Sequence, residues 1–164
     1  MTDDIWAGGC QCGAVRFQLR SRPTKPYICH CRMCQKQFAS FFAAWVDVAK
    51  ADFFLTRGAL SYFKSSDSGE RGFCRACGTP LTYSYAAQPR ITVAIGAFDR
   101  HAELRPEHQY GVETREPWFA TLPDLPASRL GEDDATLTPD VLERIRQSSR
   151  QHPDHDTPLW PPKP

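Results

Sequence analysis

The chain has 164 residues, the size of one domain, and its 24% charged and 41% hydrophobic content is that of an ordinary folded chain rather than a disordered or fibrous one. Twenty basic and nineteen acidic residues leave a formal charge of +1, too balanced for a dedicated nucleic-acid binder. The longest apolar run, Phe41-Phe42-Ala43-Ala44-Trp45-Val46, falls far short of the ~20 residues needed to cross a bilayer, so no membrane partner is expected.

In chain order, the acidic start Met1-Thr2-Asp3-Asp4-Ile5-Trp6 lacks the basic and apolar regions of a signal peptide, and cytoplasm is the expected compartment. Val15, Phe17 and Leu19 then alternate with Arg16, Gln18 and Arg20, the period-two signature of a strand with one face inward. Further strands are predicted at Tyr27–His30, Phe41–Val48, Phe53–Thr56, Leu60–Lys64, Arg71–Phe73, Leu81–Tyr85 and Ile91–Ala97, each bounded by Gly, Pro, Ser or Asp. Between Cys31 and Phe38 good helix formers without β-branching predict a turn or two of helix. Prolines and aromatics interleave from Pro106 to Pro126, which reads as an ordered, loop-rich segment. Thr138-Pro139 reads as an N-cap followed by proline at the first helical position, and Leu137, Val141, Leu142 and Ile145 mark an apolar stripe, so a short helix is predicted near 139–147. The last twelve residues hold five of the fourteen prolines, with Leu159 and Trp160 as the apolar groups that can dock. The expectation is a mainly β fold of short antiparallel sheets over 5–126, followed by an extension over 127–164.

The unusual number is seven cysteines, all between Cys10 and Cys77. In a reducing compartment such clusters are more often metal ligands or catalytic thiols than disulfides. Cys10-Gln11-Cys12-Gly13 and Cys74-Arg75-Ala76-Cys77-Gly78 each place two thiols on a tight turn followed by glycine. Together they supply the four sulfurs of a closed tetrahedral zinc site, whose binding energy becomes folding energy. Cys29-His30-Cys31-Arg32-Met33-Cys34 supplies three sulfurs and leaves one coordination position open, the arrangement of a catalytic zinc. His30 sits between two of these cysteines and on a strand points to the opposite face. The plainer readings are a redox pair, or buried cysteines that act as small hydrophobes.

These three groups, with Gly8-Gly9 before the first and Arg71-Gly72-Phe73 before the last, resemble the glutathione-dependent formaldehyde-activating enzyme family, also called the GFA or CENP-V domain family. Pro106-Glu107-His108-Gln109-Tyr110 and Pro117-Trp118 resemble its later signals. The resemblance implies an Mss4-like fold around a structural zinc held by Cys10, Cys12, Cys74 and Cys77. It implies a second zinc held by Cys29, Cys31 and Cys34, where chemistry occurs. The implied reaction is addition of glutathione, the co-substrate, to formaldehyde, that of a carbon–sulfur lyase in reverse. Three thiolates on one zinc carry a net charge of about −1, so cations are expected nearby to hold a fourth thiolate and the tripeptide's carboxylates. Arg32, Lys36, Arg71 and Arg75 are the candidates. Phe38, Phe41, Phe42 and Trp45 line a pocket or form plain core, and His108 is a proton donor or a structural hydrogen bonder. After the triad the chain reads Gln35-Lys36-Gln37-Phe38-Ala39-Ser40-Phe41, where family members often carry a small-residue stretch with glycine. The competing expectations are a non-catalytic zinc-stabilised binding module, or a thiol carrier or metal sensor.

Overall fold

The computed structural model describes residues 5–132 and 136–150. The proline-rich tail from 151, with Leu159 and Trp160, lies outside the described residues. Among the described residues ten strands form two sheets. The smaller is antiparallel, in the order β1 (Trp6–Gly9), β2 (Arg16–Leu19), β5 (Phe53–Arg57). The larger has seven strands in the order β10 (His108–Tyr110), β3 (Thr24–Cys29), β4 (Ala43–Ala49), β9 (Arg90–Ala94), β8 (Pro80–Tyr85), β7 (Gly69–Phe73), β6 (Ser61–Lys64). Every pairing is antiparallel except that of β10 with β3, which is parallel.

The small sheet follows the period-two reading with one exception. Val15, Phe17 and Leu19 are buried, but Arg16, on the opposite side, is buried too because Asp99 takes its guanidinium with two hydrogen bonds of 2.8 and 2.5 Å. β1 carries no alternating pattern and was not predicted. It forms because Gly8 lets the backbone close on the turn after β9: a Cβ there would sit 2.2 Å from the Ala97 carbonyl oxygen and 2.6 Å from the Phe17 ring.

The large sheet uses its two faces differently, as strand alternation allows. Val46, Val48, Leu81, Ile91 and Val93 point into the main core with Trp6, Phe17 and Phe98. On β4 and β9 the residues one step out of phase, Trp45 and Ala94, belong to a second cluster with Ala43 and Cys34. α1 (Arg32–Phe38) covers this second face, burying Cys34 and Gln35 and setting Phe38 edge-on to Trp45 at 4.9 Å between ring centroids. The predicted strand from Ile91 stops at Ala94, where the chain turns into a short 3-10 segment, Ile95–Ala97. The segment expected as loop contributes β10 and several 3-10 turns. α2 (Pro139–Ser148) begins at the predicted cap: the Thr138 hydroxyl accepts from the Val141 N–H at 3.4 Å. No helix among the described residues is long and apolar enough to cross a membrane.

Candidate metal centre

All seven cysteines are free thiols, gathered into a set of four and a set of three. Cys10 and Cys12 lie on the turn between β1 and β2, and Cys74 and Cys77 on the turn between β7 and β8. Gly13 and Gly78, each directly after the second cysteine of its pair, both take φ +77°, a conformation that costs glycine little and other residues more. The turns are braced by N–H donors: Val15 donates to Cys10 Sγ at 3.2 Å and Gln11 to the Thr79 hydroxyl at 3.1 Å. Cys10 and Cys12 sulfurs are 3.6 Å apart, Cys12 and Cys74 sulfurs 3.9 Å, and all four fall within 4.8 Å of one another. Four sulfurs at ~2.3 Å from a tetrahedral zinc stand about 3.8 Å apart, whereas a disulfide requires about 2.05 Å. The spacing therefore fits a metal and excludes a crosslink. Burial pushes the Cys10, Cys12 and Cys74 thiols up. At Cys77 burial acts in the same direction but is overcome by the Thr79 hydroxyl and amide, and the thiol falls to about 6.

The second set sits where β3 runs into α1. Cys29 ends the strand, Cys31 is the residue before the helix and Cys34 lies in its first turn; their sulfurs lie within 4.8 Å of one another. His30 is not among them. Its ring is fully buried on the other side of the loop, edge-on to Phe119 at 4.8 Å, with Nε2 3.0 Å from Gln109 Oε1. Between the thiols the proton is unevenly shared. Cys34 is drawn down to about 5, first by the hydrogen bond from Cys29 and then by Arg71, against the opposing effect of burial. Cys29 is pushed up by that same bond and by burial.

This set opens into a cavity of about 480 Å³. Its floor is the second face of the large sheet: Tyr27 and Cys29 from β3, Trp45 and Asp47 from β4, Arg90 and Thr92 from β9, Tyr83 and Tyr85 from β8. Arg71 of β7, opposite Tyr83 in the sheet, reaches in beneath the cysteines and is only 2% exposed. Its Nη2 lies 3.5 Å from Cys34 Sγ, its Nε donates to the Ser65 hydroxyl at 2.8 Å, its Nη1 donates to Gln37 Oε1, and the guanidinium rests over the Tyr83 ring at 4.5 Å. None of these partners is a carboxylate.

The other three cations expected near the triad are elsewhere. Arg32 and Lys36 are exposed on the outer side of α1, lining a separate groove with Phe41, Glu116 and Trp118. Arg75 is exposed on the turn of the four-cysteine set. A seven-residue helix explains the first two: Cys34 faces inward, and Arg32 and Lys36, two positions to either side, face out. Trp45 lines the cavity and Phe38 packs on it, but Phe41 and Phe42 pack behind the loop against Trp118 and Phe119. His108 is exposed and lies against Tyr110 rather than in the cavity.

Sequence reading missed the strap that braces the triad. The Tyr110 carbonyl accepts from His30 N–H at 2.8 Å, the Thr114 hydroxyl donates to the His30 carbonyl at 2.9 Å, and Gln35 Nε2 donates to the Thr114 carbonyl at 3.1 Å. The cavity tyrosines and Asp47 and Arg90 were missed as well; Trp45 and Asp47 are visibly out of phase with Val46 and Val48 in the sequence, whereas Tyr83 and Tyr85 share the parity of the core residue Leu81 and reach the cavity only because the β7–β8 register shifts beside it.

A crystal structure of a Rhodobacter sphaeroides protein is similar to this chain with a TM-score of 0.52 at 22% identity, covering 63% of this chain and 98% of that one, a likeness of fold. A Schizosaccharomyces pombe protein named as an uncharacterized lyase is 31% identical over 80 residues; the match spans 49% of this chain and 58% of the yeast protein. The family model described as glutathione-dependent formaldehyde-activating enzyme matches residues 5–113, ending at the strap and short of Pro117-Trp118. With all seven cysteines and the cavity inside that match, the chain belongs to the glutathione-dependent formaldehyde-activating enzyme family.

Proposed function

We propose that the protein is a zinc-dependent carbon–sulfur lyase that joins glutathione to a small aldehyde, formaldehyde foremost, and releases it in reverse. The observation that carries this reading is a set of three sulfurs opening into a cavity that also holds a buried arginine against one of them. Cys10, Cys12, Cys74 and Cys77 hold a structural zinc, the centre of an Mss4-like fold, and Cys29, Cys31 and Cys34 hold the second. Zinc in the second site supplies an open position at which an incoming thiol is kept as thiolate near neutral pH, where a free thiol with pKa ~8.5 is mostly protonated.

The chain's own residues do the rest. Arg71 balances the formal charge of about −1 that three thiolates and a divalent ion carry, so a further thiolate approaches a neutral centre. In the addition, the sulfur lone pair forms the C–S bond, the carbonyl π pair moves to oxygen, and that oxygen takes up a proton in place of the one the thiol gave up. Burial pushes the Tyr27 and Tyr83 hydroxyls above the ordinary phenol range, so both stay protonated and can donate to the carbonyl oxygen. Trp45 and the tyrosine rings exclude water from the reacting atoms.

The test is magnetisation exchange between labelled formaldehyde and S-hydroxymethylglutathione on the zinc-loaded protein. The wild type should accelerate exchange, and Cys31→Ser should abolish the acceleration while keeping the fold and one tightly held zinc. Acceleration that survives in Cys31→Ser would remove the triad from the chemistry, and two bound zincs with no acceleration in the wild type would favour a binding module.

A further inference from the structure

The cavity holds two opposite charges that this chemistry does not use. Asp47 on β4 stands opposite Thr92 on β9, whose hydroxyl donates to its Oδ1 at 2.8 Å. Arg90 lies two residues before Thr92 and lines the same cavity. Diagonal neighbours of this kind across an antiparallel pair are about 7–8 Å apart, within reach of long side chains. Even so, Asp47 and Arg90 make no ion pair with each other, and the Arg90 side chain makes no hydrogen bond or ion pair with any of the described residues. Arg71, the other cation in the cavity, is 2% exposed and turns each of its three nitrogens to Ser65, Gln37 or Cys34, whereas Arg90 is exposed at the cavity's edge with its whole guanidinium open to a ligand's carboxylate.

We propose that Asp47 and Arg90 form an amino-acid subsite, Arg90 taking the α-carboxylate and Asp47 the α-ammonium of a peptide-like thiol whose sulfur lies at the triad. This rests on the reading of the triad as a thiol site. The register sets the length of the ligand. Cys29 faces Ala43 across β3 and β4, and Arg90 faces Ala49 across β4 and β9. At ~3.3 Å per residue Ala49 stands ~20 Å and Asp47 ~13 Å along β4 from Ala43, so the two ends of the site are separated by several residues of strand. Cysteine itself, with its sulfur two bonds from the α-carbon, is too short to occupy both ends. Glutathione, whose zwitterionic head stands several bonds farther from its sulfur than that of cysteine, is the better match to this separation, and the tyrosines lining the cavity offer hydroxyls and ring faces to its peptide groups. The subsite therefore selects thiols by the distance from sulfur to amino-acid head.

Calorimetric titration of the zinc-loaded full chain with glutathione, N-acetylglutathione, cysteine and 2-mercaptoethanol tests this. Glutathione should bind at least ~10-fold tighter than cysteine or 2-mercaptoethanol. Arg90→Gln and Asp47→Asn should each remove most of that advantage while leaving 2-mercaptoethanol unchanged, and Asp47→Asn should not affect N-acetylglutathione, whose nitrogen carries no charge. Both positions border the cavity rather than the core, and Arg90→Lys should restore part of the loss. If glutathione binds no tighter than 2-mercaptoethanol, or if a variant weakens both equally or neither, the subsite is wrong while the thiol site stands. If neither thiol binds the wild type, the thiol reading fails and takes the subsite with it.

Discussion

A guanidinium sealed beside thiols requires a negative partner, because an unpaired buried charge is costly. Arg71 has no carboxylate among its hydrogen bonds, and its Nη2 reaches Cys34. The arginine and the thiolates of the triad therefore depend on each other. Arg71→Gln should weaken metal binding at the triad by about tenfold or more, the cost of removing one partner of a buried charged contact, and leave the four-cysteine site unchanged. Competition with a chromophoric chelator reads both sites in one experiment, and equal loss at both would mean that the substitution acts on the fold instead. At this scale the sequence was only partly legible. Arg71 was one of four cations named for their closeness to cysteines, and nothing in its neighbourhood distinguished it from Arg75. What separates them is pairing: β7 puts Arg71 opposite Tyr83 on the cavity face, while Arg75 sits on a turn at the surface.

The elements around the triad hold it through backbone geometry. β10 and the turn after it form a strap, and Gly111 at φ +67° passes so close that a Cβ would lie 2.8 Å from the Cys31 nitrogen. Gly111→Ala should push the strap off the loop and release metal from the triad at lower chelator concentration, with the four-cysteine metal unmoved; identical chelator profiles would show that the strap does not brace the site. The helix on the other side ends on Ala39 at φ +47°, the left-handed position where glycine is the usual residue. An alanine at this position carries backbone strain that glycine would not. Ala39→Gly should stabilise the protein by about 1 kcal/mol in urea unfolding, since the side chain is exposed and buries nothing; a loss of stability would show that Ala39 packs. Helix α1 was legible from its helix formers, and α2 from its cap and proline. β1 and β10 were not, because one is built on glycines that serve a close approach and the other pairs in parallel with a strand some eighty residues earlier.

Across the whole molecule, one sheet serves two purposes through strand parity. Val46, Val48, Ile91 and Val93 bury the main core, and Trp45, Asp47, Arg90 and Thr92, one step out of phase, form the floor of the site. A shift of one residue in any of these strands would exchange the two sets, so the core specifies the site. The two cysteine sets are tied into this frame at different points, one joining the small sheet to the β7–β8 turn and the other closing β3 against α1. The grouping of seven cysteines into four and three was legible from spacing, because the triad lies on one local segment and the other four fall into two pairs, each on its own glycine-terminated turn. The polar floor of the cavity was not, because it is assembled from four strands whose order only the folded sheet defines. In the proposed function the four-sulfur site is closed and the three-sulfur site is completed by the substrate's own sulfur. Cadmium NMR of the metal-substituted protein, with and without glutathione, separates the two sites. Two signals are expected, one at the four-sulfur position and indifferent to glutathione, the other upfield and moving to the four-sulfur position when glutathione is added. A single signal, or a second signal that glutathione leaves in place, would show that the triad does not take the substrate's sulfur on a metal.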